Sequence, residues 1–99
     1  MNQEYFNEIT KELDKYLLYS NSPYCFDTYI IAYDTGLWSI RFPGATRGHI
    51  RVDDSMIITE IKLYDDTAFG DKIGCYKREA IDVVRRFIGT KLELHTDEN

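Results

Sequence analysis

Residues 26–42 read FDTYIIAYDTGLWSIRF, two runs of β-branched and aromatic side chains around the turn triplet Asp34-Thr35-Gly36. In the second run Trp38, Ile40 and Phe42 alternate with Leu37, Ser39 and Arg41, the period of two that buries one face of a strand. Two such runs joined by a glycine-bearing turn predict a β-hairpin. The chain then continues in the same manner. HIRV at 49–52 follows a short loop, Asp53-Asp54-Ser55 forms a second turn, and Met56 to Tyr64 carries Ile57, Thr59, Ile61 and Leu63 on one expected face. Four consecutive strands with short connections predict an antiparallel meander.

Helical periodicity flanks this block on both sides. Over residues 3–18, Tyr5, Phe6, Ile9, Leu13, Tyr16 and Leu17 recur at spacings of three and four, with Asn2 available as a cap. Ser20, Asn21 and Pro23 close that helix. A second stripe, Ile73, Tyr76, Ala80, Val83, Val84 and Phe87, predicts another helix that stops at Gly89, with Arg85 and Arg86 in its last turn. Lys91 to Leu94 can add a short edge strand. The predicted fold class is α+β: helix, four-stranded antiparallel meander, helix, with both helices packed on one sheet face. One domain spans 1–94, and residues 95–99 (HTDEN) form a polar tail.

The loop between the second and third strands lies within RFPGATRGHIR, residues 41–51. Arg41, Arg47, His49 and Arg51 could hold an anion there, with Gly44 and Gly48 letting the backbone approach a phosphate. No Walker-type lysine or dinucleotide-binding glycine spacing accompanies them. In a meander this loop shares one end of the sheet with Asp65, Asp66 and Asp71, so surface ion pairs are the simpler use of the arginines. The pairs Asp53-Asp54 and Asp65-Asp66 bracket a strand and would stand about 30 Å apart at ~3.3 Å per residue, too far to share a metal. Neither histidine, His49 or His95, has a second histidine at ligand spacing, and Cys25 and Cys75 form no C-x-x-C. No metal and no cofactor is expected.

The chain has 99 residues and a net charge of −5, with 43% hydrophobic and 29% charged residues. That composition belongs to an ordinary folded domain. Its charge works against adhesion to nucleic acid or anionic lipid. The N-terminal run MNQEYFNEITKELDKYL lacks the basic start and apolar stretch of a secretion signal, and two unpaired cysteines fit a reducing compartment, so a cytoplasmic location is expected. No membrane partner is expected.

An acidic surface suits a larger basic protein, most simply one that itself handles nucleic acid. Glu4, Glu8, Glu12, Asp53, Asp54, Asp65 and Asp66 are the candidate contacts, joined by Tyr19 and Tyr24 from a tyrosine-rich first third. The alternative is a nucleic-acid or nucleotide-binding module built on the 41–51 loop. In size, acidity, lysine-, isoleucine- and asparagine-bearing composition and lack of a catalytic motif, the chain resembles the small acidic inhibitors encoded by phages and mobile elements, such as anti-CRISPR proteins. The resemblance implies a non-enzymatic inhibitor that occupies the nucleic-acid-binding surface of its target. It matches no motif and assigns no residue.

Overall fold

Gly36 adopts φ +70, a left-handed conformation that an L side chain resists, and a Cβ there would come within 2.9 Å of the Val52 carbonyl oxygen. The expected turn forms around it. In this computed structural model, which describes residues 3–18, 28–42, 44–64 and 72–96, the fold is α+β. Its elements are α1 (Glu8–Asp14), β1 (Tyr29–Asp34), β2 (Leu37–Arg41), β3 (Thr46–Val52), β4 (Ile58–Leu63), β5 (Lys72–Ile73), β6 (Tyr76–Lys77) and α2 (Ala80–Arg85). The first four strands make one sheet in the order β1-β2-β3-β4, with every neighbouring pair antiparallel.

Register assigns the faces, because cross-strand partners point to the same side. Ile30, Ile40, Gly48 and Leu63 form one row across the sheet, and Trp38, Ile50 and Ile61 form the next. Ile30, Ile40 and Ile50 are fully buried in a cluster that also takes Ile9 and Leu13 from α1 and Ala80 and Val84 from α2. The opposite face carries Ile31, Ser39, His49 and Lys62 in one row.

Each of the three pairs in this sheet contains a register shift, and these change the sequence reading. At the third, Arg51 pairs with Glu60 and Val52 with Ile58, which leaves Thr59 extra. Alternation predicted Ile57 and Thr59 on the buried side; instead Ile58 is buried to 1% exposure and Thr59 is exposed, its hydroxyl donating to the Arg51 carbonyl at 3.3 Å. At the second, Ile40 pairs with Gly48 and Arg41 with Thr46, which leaves Arg47 extra.

The first helix is shorter than its apolar stripe. Tyr5 and Phe6 are extended, not helical, because both have strand partners. Tyr5 exchanges two backbone hydrogen bonds of 2.9 Å with Ile30 at the outer edge of β1, and its ring meets Trp38 edge-on at 5.7 Å. Phe6 exchanges bonds of 2.6 and 2.9 Å with His95. Asn7, not Asn2, starts the helix through a reciprocal capping box with Thr10. Its remaining donor, Nδ2, reaches the Glu93 carbonyl at 3.1 Å.

The second helix is also shorter. Ile73 and Tyr76, read as part of its stripe, belong to the β5–β6 hairpin, turned by Gly74 at φ +60. Tyr76 is pinned there by backbone contacts of its neighbours with the segment that follows α1: Lys77 N donates to Tyr16 O and Leu18 N to Cys75 O. Beyond α2, Gly89 N donates to Ile58 O, Ile58 N to Thr90 O and Leu92 N to Met56 O, so residues 89–92 cover the outer edge of β4. The expected edge strand at 91–94 is thus an isolated bridge between Ile57 and Lys91, followed by the bridge of His95 to Phe6. Backbone pairing runs from β4 through 89–95 and 5–6 to β1, joining the two edges of the sheet.

Cys75 is buried, and Cys25 lies outside the described residues. No described helix is long and apolar enough to cross a membrane.

These contacts make the two ends of the fold open to measurement. Val84 is buried to 1% exposure whereas Val83 is only half-buried, so Val84→Asp should cost about 3–5 kcal/mol and Val83→Asp far less. Equal urea midpoints for the two variants would refute that assignment of the helix face. Asn7→Ala should cost about 2–3 kcal/mol, since it removes both the cap and the Glu93 bond, while Asn7→Ser should restore only the capping share of about 1 kcal/mol. Full recovery by serine in the same measurement would show that the Glu93 bond contributes nothing.

Candidate functional site

The sequence singled out two sets of charges, and the structure treats them differently. In the basic loop each cation has an internal partner. Arg41 donates to the Gly44 carbonyl and, at 3.2 Å, to the Thr46 hydroxyl, while its Nε is buried without a partner among the described residues. Arg47, the bulge residue, turns its Nε onto the Phe42 carbonyl. These two side chains brace the loop from inside, and the bulge is what re-aims Arg47 toward it.

His49 and Arg51 lie farther along β3 and meet β4. His49 is paired directly with Lys62, so its diagonal neighbours are Glu60 and Tyr64. Both are bonded to it: Nε2 to Glu60 Oε1 at 2.7 Å, and Nδ1 to the Tyr64 hydroxyl at 2.8 Å. An ionised carboxylate only accepts, so Nε2 carries a hydrogen toward Glu60. Arg51 Nε donates to the same Glu60 oxygen at 3.2 Å. The hydrogen bond from His49 is the largest influence on the Glu60 carboxyl; desolvation, the next largest, opposes it, and the lesser attractions of His49 and Arg51 help hold the carboxyl below its ordinary value of 4.5. Chemically this chain can hold a proton between a carboxylate and a phenol; structurally it ties β3 to β4. Glu60 and Tyr64 escaped the sequence reading because their contact with His49 needs the strand register.

The acidic set is dispersed and mostly turned outward. Glu4 is exposed ahead of α1. Glu8 and Glu12 lie on α1 and pair with Lys11 at 3.4 Å and Lys15 at 3.0 Å. The Glu8 pair is more than 70% exposed on both sides and contributes about 0–1 kcal/mol. Asp53 is engaged within the chain, where its Oδ1 accepts from the amides of Ser55 and Ile57 at 2.9 and 3.0 Å and so shapes the β3–β4 turn. Asp54 in that turn is exposed. Asp65, Asp66, Asp71, Tyr19 and Tyr24 lie outside the described residues. Among the described residues no three His, Cys, Asp or Glu side chains group as metal ligands. No family model, curated protein or solved structure matches the chain.

The Glu60 shift fixes the sign of a pH effect. A carboxyl whose folded pKa is depressed stabilises the fold above its unfolded pKa, and that contribution is lost as pH falls through the folded value. Wild type should therefore melt above Glu60→Gln at neutral pH, and the gap should close below the ordinary value of 4.5. A gap in thermal melts that stays constant into acid would remove the carboxylate from the linkage.

Proposed function

We propose that the chain is a non-catalytic binding protein that sets its acidic surface against a larger basic protein, occupying ground where that partner would otherwise hold nucleic acid. The observation that carries this reading is the unequal engagement of its charges. The basic candidates Arg41, Arg47, His49 and Arg51 all have partners within the chain, whereas Glu4 and Asp54 project from the surface of a molecule of net charge −5. Releasing Arg51 or His49 for a phosphate would take one of its two partners from Glu60, a cost that the acidic reading does not carry. The same balance disfavours the alternative, a nucleic-acid or nucleotide site on the 41–51 loop.

In this reading the sheet is a simple meander with both helices on the face of Ile30, Ile40 and Ile50. The turns and the outer surface of α1 are then left for docking. The action is that of the phage-encoded inhibitors the sequence resembles, and it takes place in the cytoplasm.

The test pairs two experiments at about 0.15 M salt, where exposed charges more than ~8 Å apart are largely screened. Labelled DNA and RNA oligonucleotides should give no anisotropy change with wild type. Immobilised wild type should retain basic proteins that excess duplex DNA displaces, and the triple variant Glu4→Lys, Glu8→Lys, Asp54→Lys should bind them about tenfold more weakly or worse. Oligonucleotide binding by wild type that disappears in Arg51→Glu would overturn the proposal and promote the loop.

A further inference from the structure

The seam where the N-terminal and C-terminal segments meet is not filled. A pocket of about 290 Å³ opens there, bordered by Asn7 and Glu8 at the start of α1, by Phe87 beyond α2, and by the chain from Thr90 to Glu93. Its apolar lining is Ile9, Ile58, Phe87 and Leu92. Ile9, Ile58 and Leu92 are core residues at 2%, 1% and 3% exposure, so this part of the lining is fixed by packing rather than loosely placed. Two carboxylate residues, Glu8 and Glu93, border the pocket against one lysine, Lys91, and His95.

Size and charge together narrow the occupant. Small-molecule sites run to roughly 300–1,000 Å³, so this pocket is at the floor of that range and suits one long side chain better than a nucleotide. An apolar base with carboxylates at its edge matches a side chain that is aliphatic along its stem and cationic at its tip. Glu8 is free to serve, because its exposed pair with Lys11 is weak and exchangeable. The pocket is also held open before any partner arrives. Asn7 bonds the Glu93 carbonyl, and Phe6 bonds His95, on either side of the junction.

We infer that this pocket is the anchor point of the acidic surface and receives an arginine side chain of the basic partner. The stem lies on Ile9, Ile58, Phe87 and Leu92, and the guanidinium meets Glu8 and Glu93. The inference rests on the acidic docking reading and adds to it a defined seat.

Two hexapeptides separate the two ideas: acetylated hexa-arginine amide, and the same hexamer of 2-amino-3-guanidinopropionate. They carry equal charge, but the second has side chains shorter by two methylenes. Each would be titrated into ¹⁵N-labelled protein at about 0.15 M salt. Hexa-arginine should shift the amides of Ile9, Ile58 and Thr90 to Glu93, and should bind about tenfold more tightly than the short-stemmed hexamer. The double variant Glu8→Gln, Glu93→Gln should lose about tenfold in affinity for hexa-arginine. Equal affinity for the two hexamers, with shifts around Glu4, Asp53 and Asp54 instead, would overturn the pocket and leave acidic docking standing. Absence of binding by either peptide would overturn both.

Discussion

Asn7 and Glu93 are 86 positions apart along the chain, yet the side chain of one holds the backbone of the other. With the paired bonds of Phe6 and His95, this contact joins the two ends of the fold. Much else depends on it. The N-terminal segment can cover β1 only if it is extended at Tyr5 and Phe6, and the helix can then begin only at Asn7. The C-terminal segment covers β4 and supplies Leu92 to the core. Exposed sheet edges invite pairing with other chains, and here both outer strands receive backbone partners from within the molecule.

The sequence disclosed most of what depends on local pattern. The Asp34–Gly36 turn, the alternation of Trp38 and Ile40, and the polar turn at Asp53 were legible because each is set by neighbouring residues. What escaped was set by tertiary partners. The stripe from Tyr5 to Leu17 has helical spacing throughout, but Tyr5 and Phe6 gain strand partners from Ile30 and His95 that spacing does not disclose. Ile73 and Tyr76 fit a helical stripe equally well, and Gly74 with its positive φ redirects them into a hairpin. The extra residue at Thr59 shifts the phase of β4 by one, and no local signal announces it. Likewise the Glu60–His49–Tyr64 chain becomes visible only once β3 and β4 are in register. The buried Tyr76, whose hydroxyl lies 2.7 Å from that of Thr28, belongs to the same category. Burial pushes its phenol pKa upward and keeps it neutral.

The charges divide along similar lines. Within the strands, Arg51 and Glu60 are bonded to partners the sheet brings near, and Arg47 is drawn back onto its own loop. Those at helix surfaces and turn tips, such as Glu8 and Asp54, stay in water. Gly48 belongs to the first group in a less obvious way. A Cβ at that position would fall 2.2 Å from the Lys62 carbonyl oxygen, so only glycine allows β4 to lie this close to β3. That approach brings Glu60 and Tyr64 into hydrogen-bonding range of the intervening His49.

Joining the ends of the chain also bears on when the molecule can form. During synthesis the β1–β2 and β2–β3 hairpins are complete once Val52 has emerged, and each rests on short-range contacts. Sealing the sheet must wait for Leu92 and His95, among the last described residues to be made. Contacts between segments this distant carry a larger loop-closure cost and slow the final step relative to the hairpins. A nascent chain therefore passes through an interval in which the outer edge of β4 lacks its eventual partners, whereas Tyr5, the partner of β1, has already been made. During that interval it is most open to being captured by another copy of itself.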